Sequence, residues 1–173
     1  MRYLHPVPLG SQHRLDDFDC GEPALDEWLK KYGRQAASAG SARVYVSTLE
    51  DKETVIGYYA LTVASIEPEI ATERVRKGQP RQPIPAVLLA RLAVDADHQG
   101  AGVGHSLFRD AMLRALDAAD SVGIRVLLVH AKHELAKGFY MQYDFEESLT
   151  NPLNLQMLLK DVKETLKKMG HHA

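Results

Sequence analysis

Cysteine is almost absent. One residue, Cys20, among 173 excludes a disulfide framework and a multi-cysteine zinc site, and a lone thiol suits a reducing compartment. An excess of one charge is absent too. Twenty-one Lys and Arg against 23 Asp and Glu leave −2, which excludes a chain that is basic all over, such as a DNA coat protein, but not a local basic face. Long apolar runs are missing: the longest uncharged stretch, residues 54–66 between Glu53 and Glu67, falls short of the roughly 20 residues that cross a bilayer. The opening Met1-Arg2-Tyr3-Leu4-His5-Pro6 has no apolar secretory stretch, and no repeat or low-complexity tract follows. A soluble, cytoplasmic protein with no membrane association is expected. The remaining composition is globular, 45% hydrophobic and 25% charged. A chain of this length can bury roughly 70% of its unfolded surface, so its core needs neither disulfide nor metal.

Leu25, Trp28, Leu29 and Tyr32 recur at helical spacing and predict a helix over residues 23–38. Pro23 suits its first turn, Asp26 and Glu27 suit its positive end, and Gly40 ends it. Residues 43–48 read as a short strand and 54–66 as a longer one, where Gly57 predicts a bulge or close packing. Between 67 and 85, Pro68, Gly78, Pro80, Pro83 and Pro85 break regular structure, with room for a short helix over 69–76. From Ala71 to Arg91 the cations Arg74, Arg76, Lys77, Arg81 and Arg91 face one acid, Glu73. Residues 85–94 are apolar on both faces and predict a central strand. A turn at 95–99 leads to a helix over 102–118 that buries Val103, Leu107, Met112, Leu113 and Leu116. Then come a buried strand at 124–131, a helix at 134–143, strands from Phe145 and at 153–159, and a helical tail at 160–169. This order predicts an α/β fold with a mixed central sheet and helices on both faces. No composition break divides it, so a single domain over 1–173 is expected.

The strongest local signal is Leu92-Ala93-Val94-Asp95-Ala96-Asp97-His98-Gln99-Gly100-Ala101-Gly102-Val103-Gly104. A central strand enters a turn, then glycines, then a helix. Glycines let backbone amides converge on an anion, and the helix points its positive end at the same place. Three readings compete, beside the plain one of a tight turn that merely starts a helix. A phosphate loop of the Walker kind needs Lys-Ser/Thr after its last glycine, where His105-Ser106 stand. A dinucleotide fingerprint is spaced G-x-G-x-x-G and lies early in a chain. The third is a Q-x-x-G-x-G/A loop, which Gln99, Gly102 and Gly104 fit.

Gln99-x-x-Gly102-x-Gly104 behind Leu92-Ala93-Val94 resembles the acetyl-CoA loop of GCN5-related N-acetyltransferases. The resemblance extends to Phe18-Asp19-Cys20-Gly21 with Leu25-Asp26-x-Trp28-Leu29, to Val55-Ile56-Gly57-Tyr58-Tyr59-Ala60-Leu61, and to Leu89-Ala90-Arg91-Leu92-Ala93-Val94-Asp95. It includes Gly138-Phe139-Tyr140-x-x-Tyr143-x-Phe145. Over residues 14–160 these look like the toxin branch of that superfamily, which acetylates the amino group of aminoacyl-tRNA and stops translation. Asp144 departs from the glycine usual before Phe145. The resemblance implies acetyl-CoA held by the backbone of Leu92, Ala93 and Val94 and by residues Gln99, Gly100, Ala101, Gly102, Val103, Gly104, His105 and Phe139. It also implies a catalytic Tyr140 near the sulfur, an antitoxin of the ribbon-helix-helix kind, operator DNA bound only through that antitoxin, and a homodimer.

The chemistry can be weighed separately. A phenol near 10 against a thiol near 8.5 makes proton donation to a leaving thiolate uphill by only ~2 kcal/mol, so Tyr140 suits a general acid. The plain alternative is that Phe139 and Tyr140 only pack a helix. No general base stands out: Leu89, Ala90 and Arg91 occupy the strand where some relatives carry a glutamate. A lysine acceptor near 10.4 stays mostly protonated, whereas an α-amine near 8, lowered further by a neighbouring ester, is substantially neutral already. That favours an aminoacyl ester; a small-molecule or protein N-acetyltransferase is the alternative. Arg91, in an apolar strand, reads either as a salt bridge to a carboxylate such as Asp95 or as an electropositive wall for tRNA. Arg74, Arg76, Lys77 and Arg81, extended by Lys30, Lys31 and Arg34, read as a solvated surface or as phosphate contacts. The histidines show no metal-ligand spacing. His98, His105, His130 and His133 read as helix-end or hydrogen-bonding residues, Cys20 reads as structural, and His171-His172 form a tail; no metal is expected.

Overall fold

A computed structural model describes residues 2–170; His171 and His172 lie outside the described residues. The elements are β1 (Val7–Pro8), α1 (Pro23–Trp28), a π-helical turn (Leu29–Gly33), α2 (Arg34–Ala39), β2 (Arg43–Thr48), β3 (Val55–Ile66), α3 (Glu73–Arg76) and β4 (Ile84–Val94). A 3₁₀ turn (Ala96–His98), α4 (Val103–Ser121), β5 (Val126–His130), α5 (Glu134–Tyr140), β6 (Glu146–Glu147), β7 (Asn154–Leu158) and α6 (Leu159–Gly170) complete the chain. The strands form a seven-stranded mixed sheet in the order β1-β2-β3-β4-β5-β7-β6. Its parallel pair, β4 with β5, is joined through α4, as a parallel pair requires a crossover. The mixed α/β class is the expected one. Contacts group the chain into two compact units, Met1–Thr62 with Ala90–Ala111, and Val63–Leu89 with Met112–Ala173.

In the first unit, β1, β2 and β3 pair antiparallel. The predicted first helix forms, but its middle widens into the π turn that carries Lys30 and Lys31. Gly40 ends it at φ 77°, a left-handed cap that glycine adopts at little cost. Both expectations for Gly57 hold. The β2–β3 register slips between Ser47 and Thr48, beside Gly57, and a Cβ on Gly57 would sit 2.9 Å from Leu107 Cδ1. Leu15, Phe18, Leu29, Val44, Val46, Tyr58 and Ala93 form the core.

In the second unit, β5 pairs with β7 and β7 with β6, both antiparallel. Ile66, Ala71, Val75, Ile84, Val126, Leu128 and Leu158 form its core. The short helix is narrower than 69–76, because Thr72 caps it by accepting from Val75 N. Along α4, Leu107, Ala111, Met112 and Ala115 are fully buried, whereas Leu113 is exposed. One residue past Met112 is a 100° turn, which carries Leu113 off the buried stripe.

His13 is buried, and its Nδ1 accepts from Gly10 N at 2.9 Å. Burial, and then the charge of Arg34, hold its pKa below 6.5; burial does the same to His130. A folded-state pKa below the unfolded one means that the unfolded chain takes up protons first as pH falls. Stability is therefore expected to decline as pH drops below 6.5. Thermal melts across that range measure it, and His13→Asn, which keeps an acceptor and loses the titration, should flatten the decline.

Candidate active site

The glycine loop lies within the first unit. β4 ends at Val94, and Asp95 organises the turn that follows. Its N–H donates to Ile56 O at 2.8 Å, its Oδ2 accepts from Asp19 N at 3.1 Å, and its Oδ1 accepts from Asp97 N at 3.0 Å. Ala96 N returns a bond to Asp19 O at 2.8 Å. Gln99 Nε2 donates to Val94 O at 2.9 Å and to Cys20 O at 3.2 Å, so this side chain braces the loop. The motif Phe18-Asp19-Cys20-Gly21 is thus a latch at the loop's base, a role that spacing along the chain could not reveal. Cys20 N donates to Asp26 Oδ1 at 2.9 Å, and burial with that neighbour pushes the thiol up to about 12. Such a thiol is inert near neutral pH.

Past Gln99 the chain needs glycine. Gly100 and Gly102 have φ of 78° and 86°, and space around both is open. The first bond of α4 runs from Ser106 N to Gly102 O at 3.1 Å, which makes Gly102 its N-cap. Val103, Gly104 and His105 form the first turn, where an α-helix leaves N–H groups without acceptors inside the helix and concentrates positive potential. The Asp95 carboxylate, at the base of the loop, already accepts two N–H groups. The loop thus offers N–H groups and positive potential of the kind that an anion takes.

Arg91 does not pair with Asp95. Its guanidinium carbon lies 4.3 Å from the centroid of the Trp28 ring, a cation–π contact that leaves the formal charge in place. Trp28 stacks on Tyr58, with ring centroids 6.1 Å apart, and Tyr58 Oη donates to Leu25 O at 2.7 Å. Lys31 pairs with Glu27 at 2.9 Å, Arg34 donates to His13 O, and Lys30 is exposed.

The second unit holds α5. His133 caps it, its Nδ1 accepting from Ala136 N at 3.1 Å, and His98 of the first unit bonds to Tyr3 Oη at 3.0 Å; both are helix-end or hydrogen-bonding residues, as expected. Among the described residues no group of three metal-ligating side chains occurs. The helix ends at Tyr140, earlier than 143, and Tyr140 is 7% exposed. Its ring meets Phe139 and Phe145 edge-on, at centroid distances of 5.1 and 6.1 Å. Burial, and then Tyr143, push the Tyr140 phenol well above its usual range, so it is protonated at any physiological pH. Burial raises the Tyr143 phenol to about 12. Asp144 accepts from Thr165 Oγ1 at 2.8 Å and from Lys168 Nζ at 3.1 Å, which ties the link after α5 to α6. Arg74 meets Asp161 at 2.7 and 2.5 Å, whereas Arg76, Lys77 and Arg81 are exposed.

Residues 40–147 match the family model described as an acetyltransferase (GNAT) domain. A tRNA-acetylating toxin of Mycobacterium tuberculosis is 42% identical over 161 residues, 93% of this chain and 95% of that one. The structure of AtaT complexed with acetyl-methionyl-tRNAfMet is 29% identical, with a TM-score of 0.86 over 94% of this chain and 98% of that one. A mutant AtaT toxin bound to the C-terminus of the antitoxin AtaR and to acetyl-CoA has a TM-score of 0.80 at 29% identity, over 94% and 96% of the two chains. An AtaT–AtaR complex bound to DNA has a TM-score of 0.75 at 29% identity, over 93% and 98%. With a family match over most of its length, the chain belongs to the GCN5-related N-acetyltransferases, enzymes that take acetyl from acetyl-CoA.

Proposed function

We propose that this chain moves acetyl from acetyl-CoA to the α-amine of aminoacyl-tRNA by direct transfer, with Tyr140 as general acid, and that it is the toxin of a type II toxin–antitoxin pair. The observation that carries this reading is the 42% identity to a tRNA-acetylating toxin along nearly the whole of both chains. A blocked α-amine cannot attack the next ester, so translation stops. On this reading the protein acts in the cytoplasm as a homodimer. Its partner is a ribbon-helix-helix antitoxin, through which alone the pair reaches operator DNA.

Acetyl-CoA supplies a thioester-activated acyl carbon. The chain's own residues hold it and manage one proton. The amides from Gln99 to His105 take the pyrophosphate, the backbone of Leu92, Ala93 and Val94 takes the pantetheine arm, and Phe139 lines the cofactor's path. The amine nitrogen attacks the acyl carbon, the C–S bond breaks, Tyr140 gives its hydroxyl proton to the leaving sulfur, and the proton that the new amide nitrogen sheds returns through solvent to the phenolate. Burial makes the phenol a weaker acid, but a thiolate in the same apolar surroundings is raised by the same desolvation. The two shifts share a sign and so offset each other in the gap between the groups, which for the free groups is ~2 kcal/mol, small beside the barrier. The acceptor needs no base to become a nucleophile, because an α-amine near 8, lowered further by the neighbouring ester, is substantially neutral at cellular pH.

Arg91, held over Trp28, and Lys30, Lys31 and Arg34 offer positive charge in the first unit; Arg74, Arg76, Lys77 and Arg81 offer it in the second. Arg74 and Lys31 contribute least, since Asp161 and Glu27 offset them. The test is radiolabelled acetyl-CoA with charged tRNA, uncharged tRNA, a lysine peptide and a polyamine in parallel. Label on charged tRNA alone is expected; label on the peptide or polyamine alone would move the chain to a protein or small-molecule acetyltransferase.

A further inference from the structure

The basic segment of the second unit is splinted. Arg125, just before β5, reaches back along α3: its Nε donates to Val75 O at 2.7 Å, and one Nη donates to Lys77 O at 3.1 Å and Arg74 O at 3.4 Å. Those are carbonyls of the last turn and cap of α3, which a four-residue helix leaves without internal donors. Gln156, 1% exposed on β7, clamps the other end of the segment. It accepts from Thr72 N at 3.0 Å and donates to Ile70 O at 3.1 Å. Val75 is fully buried between them. Gly78, at φ 76°, turns the chain out after Lys77. Arg76 and Lys77 stay exposed, on a backbone held by these bonds although it lies in a proline- and glycine-broken stretch.

We infer that Arg125 is a positioning residue for acceptor binding: its guanidinium fork holds the last turn of α3 so that Arg76 and Lys77 meet phosphates from a backbone already ordered. This rests on the aminoacyl-tRNA reading above. Bonds to carbonyls leave its own charge unneutralised, so it also adds to the local positive field. Ordering the backbone that carries two long cationic side chains before binding spares that part of the entropy at the moment of binding. A phosphate contact contributes slightly less than one unit to the salt slope of nucleic-acid affinity.

The experiment compares the full chain with its Arg125→Met and Arg125→Lys variants. KM for a mixture of aminoacyl-tRNAs is measured across potassium chloride concentrations, together with kcat, KM for acetyl-CoA, and the rate of tryptic cleavage after residues 76 and 77. For both variants the account expects faster cleavage, a KM for tRNA raised about tenfold with kcat and the acetyl-CoA KM held, and a salt slope reduced by about one to two. Lysine keeps the charge but lacks the fork. Full rescue by Arg125→Lys, or faster cleavage with an unchanged tRNA KM, would overturn the assignment. Should the Met variant not fold, the Lys variant alone decides. If the wild-type chain labels no aminoacyl-tRNA, the acceptor reading falls, and filter binding of uncharged tRNA then reads the splint. A reduced salt slope in the variants supports it, and an unchanged slope overturns it.

Discussion

Replacing Tyr140 by Phe is expected to lower kcat by about a hundredfold to ten-thousandfold, the usual contribution of a positioned general acid. The change deletes one oxygen and keeps the ring. The edge-on contacts with Phe139 and Phe145 persist, so the loss of stability should be about 1 kcal/mol, or roughly 2–4 °C in Tm for a chain of this size. Acetyl-CoA affinity should stay within about twofold, because removal of an interaction made only in the transition state lowers kcat and leaves ground-state binding alone. Stopped-flow rates beside calorimetric binding separate the two quantities. A variant that turns over at the wild-type rate would leave Tyr140 as a packing residue.

The second large effect is expected at Gly102. Its φ of 86° lies where a side chain costs roughly 1–2 kcal/mol, and β-branching adds to that. No atom lies within 4 Å of a Cβ built there, so Gly102→Val acts through the backbone and not through a clash. The chain must leave the left-handed conformation, and the first-turn amides of α4 turn away from their anion. Acetyl-CoA Kd should rise about 10- to 100-fold, that is, by ~1.4–2.8 kcal/mol, and kcat at saturation should largely recover. Gly123→Ala is the control, since Gly123 also has open surroundings and lies outside the positive-φ glycines. Unchanged affinity in Gly102→Val would remove the loop from cofactor binding.

Much of the fold was legible because its signals are local. Helical spacing in Leu25, Trp28, Leu29 and Tyr32 marked the first helix, and the doubly apolar run of 85–94 marked β4. The glycines after β4 marked a loop whose two positive-φ residues, Gly100 and Gly102, need glycine. What stayed hidden depends on partners distant in sequence. The π turn at Leu29–Gly33 has no periodic signature of its own. Two-residue β1 is too short for a pattern to register. Arg91 resembled one half of an ion pair with a nearby acid, yet it lies over Trp28, 63 positions earlier in the chain by residue number. The latch of Asp19 on Asp95 and the splint of Arg125 on α3 are of the same kind. Each joins a side chain to backbone groups far along the sequence, and neither residue type nor spacing announces such a bond.

The central claim is that acetyl is placed on the α-nitrogen of an aminoacyl ester. The most direct measurement takes labelled aminoacyl-tRNA from the reaction, releases the ester with mild alkali, and identifies the carrier of the label by chromatography and mass spectrometry. The account predicts that the label leaves the RNA as an N-acetylated amino acid. Label that stays with the nucleotides after deacylation, or that never reaches charged tRNA, would contradict it.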